Sequence, residues 1–312
     1  MCAGSCVDTS SDVGNCGACG QACTTIAPST VQCEYGHCVT TLASGQEASD
    51  LAVDATAVYW ANTNSVATVP LGGGTPSTFA QNQLNATGIA LDANDIYIAD
   101  PAPPGAIYKM PLAGSSFVTL AAAPSDPWSI AIHGTSAFWL AGGSLVTVPV
   151  AGGTPTTLAS STGASNDGVN MLALDSVNVY WIDFGPGLVL QRPLAGGSTT
   201  TLASGRTNPV SLTVSGTNVY WSENYQQGQV LSVPVGGGQI TTLLSGAIGP
   251  LASDASSLYY PMSGVLMKQP LGGGAPTSLA STPVSTPVNA MVVDGTSVYW
   301  AAQSVVAKVT PK

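Results

Sequence analysis

The stretch "LAVDATAVYWAN" (51–62) joins two short apolar runs through a turn on Asp54. The first run, Leu51 to Val53, is too short for a helix, and the second carries an aromatic pair, Tyr59-Trp60. Both faces of that second run are apolar or aromatic, so a sheet built from it needs cover on both sides. The stretch returns as "IALDANDIYIAD" (89–100), "IAIHGTSAFWLA" (130–141), "LALDSVNVYWID" (172–183), "LTVSGTNVYWSE" (212–223), "LASDASSLYYPM" (251–262) and "MVVDGTSVYWAA" (291–302). The starts lie 38 to 42 residues apart, a spacing that marks a repeat architecture.

Each unit reads as four strands. Strand A ends at a turn residue such as Asp54, Asp92, Asp175, Asp254 or Asp294, and strand B carries the aromatic pair. Strand C closes on Pro70, Pro111, Pro149, Pro193, Pro234 or Pro270, where a proline suits a strand end. A "GGGTP"-like hairpin leads to strand D, as in "PTTLAS" (155–160). No stretch has a helical period with caps. Sheets covered on both faces and repeated around an axis predict an all-β, seven-bladed β-propeller of four-stranded blades.

The last unit, "DGTSVYWAAQSVVAKVTPK" (294–312), has strands A, B and C, ending near Val309, but no D. "TTLASG" (40–45) is identical to strand D of the fourth unit, "TTLASG" (200–205). Residues 39–46 are therefore expected to be the outermost strand of the last blade, which removes an open gap with unsatisfied strand edges. The expected domains are a Cys-rich module (1–38) and a propeller (39–312) with blades starting near 51, 89, 130, 172, 212, 251 and 291.

All seven cysteines, Cys2, Cys6, Cys16, Cys19, Cys23, Cys33 and Cys38, fall in the head. So short a segment with few large apolar residues needs cross-links. A disulfide-stapled secreted module is the favoured reading; a zinc site of Cys16, Cys19, Cys33 and either Cys38 or His37 is the alternative. An odd count leaves one thiol over, whose mate would lie upstream; Cys2 as a lipid-bearing terminus is the weaker alternative. Met1 directly before Cys2 reads as an expression start after an upstream segment. "CAGSCVDTSSDVGNCGACGQAC" (2–23) resembles small Cys-rich modules repeated in secreted bacterial proteins, which implies a secreted or surface location.

Six Lys and Arg against 16 Asp and Glu give a formal charge of −10. Too few cations exist to build a basic patch, so nucleic acid and anionic lipid are excluded as expected partners. No apolar run is long enough to span a bilayer as a helix. The Tyr-Trp column resembles the YWTD and related propellers of extracellular proteins, although YWTD rings have six blades. Here Thr is absent from the third position of that tetrad, and Asp follows only at Asp100 and Asp183. The resemblance implies fold rather than function.

In a propeller the A–B turns and C–D hairpins share one face, which here is stereotyped. The D–A and B–C connections share the other, and here they vary: "ADPAPPG" (99–105), "SSTGASNDGVN" (160–170), "IDFGPG" (182–187) and "SENYQQG" (222–228). Binding is expected on this irregular face. It holds Asp50, Asp100, Asp126, Asp167, Asp183 and Glu223, with Trp128, Phe184 and Tyr225 among them. Asp100, Asp183 and Glu223 share one position after the strand B aromatics, where Asn62 also falls. Such oxygens could hold Ca²⁺, and acids beside aromatics could bind sugars; as separate solvated acids they would do neither. "LGGGTP" (71–76) lies between strands, so it is a hairpin and not a phosphate cradle. Trp60, Trp139, Trp181, Trp221 and Trp300 read as a packing column, and the sequon at Asn85 carries little weight. His133 replaces the turn aspartate on the stereotyped face, which leaves His-based catalysis without support.

Three functional readings fit these residues. The first is a secreted or surface-bound monomer that recognises a glycan or a protein, with the head as spacer or second contact. The second is a lyase or hydrolase using a metal or the Asp183–Glu223 pair. The third is a structural module of a larger surface protein.

Overall fold

The structure, a computed structural model, describes residues 2, 7–81, 85–114, 116–123, 126–161, 171–224, 228–247, 249–282, 287–302 and 304–312. Among these residues there is no helix, and hence none long and apolar enough to cross a membrane. Two strands, β1 (Thr30–Glu34) and β2 (His37–Ser44), precede the first complete blade. That blade comprises β3 (Asp50–Val53), β4 (Ala57–Asn62), β5 (Ser65–Pro70) and β6 (Ser77–Gln81). Five further blades repeat the pattern through β7–β10 (88–122), β11–β14 (127–159), β15–β18 (172–203), β19–β22 (209–245) and β23–β26 (252–281). The seventh is built on β27 (Val288–Val293), β28 (Val298–Ala302) and β29 (Val305–Thr310).

Every blade is an antiparallel sheet; six have their strands in chain order, and β2 completes the seventh by pairing with β29. Thr40 lies opposite Lys308 and Thr41 opposite Ala307. The fold is the seven-bladed β-propeller expected, closed at the expected segment. One detail differs: β2 is not outermost, because the hairpin from the Cys-rich head lays β1 outside it as a fifth strand. This also starts the closing strand at His37 rather than Val39, since Glu34–His37 and Cys33–Cys38 are hairpin pairs.

The core lies between blades. Trp60, Trp139, Trp181, Trp221 and Trp300 are at most 2% exposed, so the column is packing, as its repetition predicts. Trp60 packs with Leu42, Tyr299 and Val306 across the closing seam. Trp181 and Trp221 share one cluster spanning the third to fifth blades.

The cysteines form disulfides: Cys2–Cys19, Cys16–Cys33 and Cys23–Cys38. Cys6 lies outside the described residues. The zinc alternative fails because Cys16, Cys19, Cys33 and Cys38 are all oxidised, whereas zinc binds thiolates.

Candidate functional site

Strand A starts at the irregular face, and here a polar position sews neighbouring blades together near the axis. Asp50 accepts from the Leu51 amide through one oxygen (2.8 Å) and from the Ile89 amide of the next blade through the other (2.9 Å). The Ser129 hydroxyl accepts from the Met171 amide (3.0 Å), and the Ser211 hydroxyl from the Leu251 amide (2.9 Å). Asp50 alone among them is ionisable, and burial without a counter-charge pushes its acid up to about 7 against the pull of its two amide hydrogen bonds.

The acids that follow the strand B aromatics fasten loops within or beside their own blades. Asp100 is 4% exposed, and one of its oxygens accepts from the amides of Asn85 (3.2 Å) and Ala102 (2.9 Å). Asp183 is equally buried and accepts from the Ser161 hydroxyl (2.8 Å); burial drives its acid upward although that hydrogen bond opposes the shift. Glu223 accepts from the Trp221 indole (2.9 Å) and the Gln229 amide group (2.9 Å), with Arg206 Nη1 3.6 Å away. Asn62 donates to Gln46 Oε1 (3.3 Å), which also receives the Trp60 indole (3.0 Å), while Asn62 Oδ1 is buried with no partner among the described residues.

The three calcium candidates stand in the second, fourth and fifth blades and are not brought together. Among the described residues only the sulfurs of Cys16, Cys23 and Cys38 lie close enough to share an ion, and all three belong to disulfides. Tyr225 and Asp167 lie outside the described residues. Phe184 is half-buried against the cluster of the fourth blade.

Trp128 is set apart by its backbone. It sits on β11, opposite Leu140, and the register then slips so that Ser129 and Ile130 face one residue of β12 (Ser136–Ala141). On either side, Asp126 (φ 45°) and Ser129 (φ 40°) are left-handed without being glycine. A bulge of this kind redirects a side chain at a strand end, and Trp128 is left half-buried rather than sealed in the core like the other tryptophans. The neighbouring blade makes room: a Cβ on Gly88 would lie 3.2 Å from the Ser129 amide nitrogen and 3.3 Å from that of Ile130.

The stereotyped face is internally satisfied. In five blades the turn aspartate accepts two or more turn hydrogen bonds and the hydroxyl of the tyrosine five residues on: Asp54–Tyr59, Asp92–Tyr97, Asp175–Tyr180, Asp254–Tyr259 and Asp294–Tyr299. Burial pushes these acids up, but the assembled donors outweigh it and hold each below its ordinary value. The third blade has lost both partners together, with His133 and Phe138 in their places. Three lysines then staple three of the blades to their next neighbours: Lys109 to Val150 O, Lys268 to Lys312 O, and Lys308 to Leu71 O. Lys312 pairs with Asp254 (2.6 Å), and Arg192 donates to Leu158 O. With Arg206 on Glu223, all six cations of the chain are engaged.

Sequence reasoning missed Gln46, Ser161, Arg206 and the lysine staples, for which no local pattern exists. The Asp-x4-Tyr spacing was present in five units and could have revealed the turn clamp.

No protein-family model matches the chain, and no curated protein matches it by sequence. Solved structures do match in shape. Virginiamycin B lyase from Staphylococcus aureus superposes with a TM-score of 0.74 at 12% identity, over 88% of this chain and 99% of that one. YCF48 bound to D1 peptide gives 0.68 at 11% identity, over 88% and 94%. A chain of the nidogen/laminin complex gives 0.50 at 17% identity, over 79% and 85%. At these identities the likeness is one of fold: the chain shares the propeller architecture of a lyase and of two proteins seen with protein partners.

Proposed function

We propose that the chain is an extracellular binding propeller that recognises a protein segment or a glycan through its D–A and B–C loops, with Trp128 as the central contact. The bulge beneath Trp128 carries this reading. Two left-handed non-glycine residues flank this one half-buried aromatic ring, and a glycine of the preceding blade packs against the bulge. Phe184, Asp100, Asp183 and Glu223 are proposed as its surroundings. With every cation engaged and a formal charge of −10, the partner surface is expected to be neutral or basic. Three disulfides support an oxidising, extracellular setting.

The test is a glycan array and a peptide array probed with wild type, Trp128→Ala, Phe184→Ala and, as an opposite-face control, His133→Ala. Hits weakened at least about fivefold by Trp128→Ala and kept by His133→Ala are expected, since a lost aromatic contact carries more than about 1 kcal/mol. No hits, or hits insensitive to Trp128, would overturn the reading. The carboxylate-enzyme alternative draws on Asp183, whose raised acid suits proton donation; turnover of an array hit, abolished by Asp183→Asn, would favour it.

A further inference from the structure

The Cys-rich head touches three blades at the one place where the ring is not closed by consecutive chain. Its segment before β1 hydrogen bonds to the C–D hairpin of the first blade: Ile26 N donates to Gly72 O (3.1 Å), and the Gly74 amide donates to the Ser29 hydroxyl (3.0 Å). That hydroxyl also faces Leu42 O of β2 (3.3 Å). On the other side, the Ser281 amide of the sixth blade donates to Glu34 of β1 (2.5 Å). Within the seventh blade, His37 Nδ1 lies 2.7 Å from Pro311 O.

The first-blade hairpin is adapted to this contact. A Cβ on Gly73 would lie 2.6 Å from Thr25 Oγ1 and 2.8 Å from Ser29 Oγ. At the corresponding Gly196, Gly237 and Gly273 nothing lies within 4 Å, and at Gly152 the nearest atom is 4.0 Å away. The repeated glycine is needed for its left-handed φ in each of these hairpins, but among the described residues only Gly73 is also crowded by the head segment.

The Cys23–Cys38 disulfide closes this path. Its sulfurs are 15 residues apart in sequence, and the enclosed chain contains the Thr25–Ser29 anchor on the first blade and all of β1. Cys38 itself belongs to β2 and lies opposite Thr310 of β29. Peeling β2 from β29 while the disulfide is intact therefore also means tearing the anchor from Gly72 and Gly74.

We infer that the head is a redox-controlled latch: the Cys23–Cys38 bond couples the closing strand to the first blade, and its reduction lets the ring open at this seam alone. The reductant is a dithiol. Its two thiols exchange with the protein disulfide, the bond between the sulfurs breaks, and each cysteine gains one electron and one proton. The reagent closes into its own cyclic disulfide.

Amide hydrogen exchange on the full chain tests this, comparing oxidised protein, the same folded protein reduced with dithiothreitol, the Cys23→Ser/Cys38→Ser double variant, and Cys2→Ser/Cys19→Ser as control. Reduction or loss of Cys23–Cys38 should speed exchange at Val39, Thr41 and Gly74 roughly 100-fold, the weight of a cross-link closing about 15 residues. Val179 and Trp139 should keep their rates, and the Cys2→Ser/Cys19→Ser control should behave like wild type. If the double variant fails to fold, reduction of folded wild type reads the same amides. Unchanged exchange in β2, an equal change in every blade, or the same change in the control would each overturn the latch.

Discussion

The carboxylate of Asp50 bridges two blades, accepting from its neighbour Leu51 with one oxygen and from Ile89 of the next blade, 2.9 Å away, with the other. An acid so placed, raised to about 7 from an ordinary 3.8, stabilises the fold most when protonated. Its contribution is complete below about pH 4 and is lost as pH rises through about 7. Wild-type Tm is therefore expected to fall between pH 5 and about 8 relative to Asp50→Asn, whose profile over that window should be flatter. A pair of parallel melting curves across that range would discount the bridge as a titrating group.

The turn clamps act with the opposite sign. Asp92 and its four counterparts are held below their ordinary value, so their contribution is present above about pH 4 and lost in stronger acid. Tyr97→Phe removes a hydrogen bond of 2.6 Å to a carboxylate and should destabilise by about 1.5–3 kcal/mol in urea unfolding. Phe138→Tyr, in the blade whose turn residue is His133 rather than Asp, should gain nothing.

The closing strand is as much core as any other. Leu42 is 1% exposed and packs with Trp60 and Val306, so Leu42→Ala should lose about 2–5 kcal/mol. Leu243→Ala, on the outer strand of the fifth blade and 38% exposed, is the comparison and should lose much less. Equal losses in urea titrations would mean that the seam is not packed as described.

Gly88 is required for space. Gly88→Ala drives a methyl against the backbone of Ser129 and Ile130, and should destabilise by about 1–3 kcal/mol. If Trp128 is the ligand contact, the same variant should weaken binding even though Gly88 touches no ligand. Unfolding midpoints and array titrations on one preparation check both effects.

Much of the architecture could be read from the chain because a blade is a local object. Its strands, the Asp turn and the Gly-rich hairpin recur within about 40 residues, and each residue's neighbours there are its neighbours in sequence. Even the closure left a trace, since Thr40–Gly45 had to fit the same slot as Thr200–Gly205 and carries the same residues. The candidate site was legible only as a list of positions. Nothing in "YWIDF" (180–184) distinguishes a ligand-facing Asp183 from one turned to Ser161, because Ser161 arrives from another blade, 22 residues away in sequence.

The amino-acid sequence by itself determined the blade, the number of blades and the segment that completes the ring, since all three follow from periodicity and identity along the chain. Only the tertiary structure decided which cysteines pair, that β1 adds a fifth strand, that Gly73 receives Ser29, and that Asp100, Asp183 and Glu223 serve three separate loops. These depend on contacts between segments that no repeat relates. Chain distance carries no information about them until the ring has brought its two ends together.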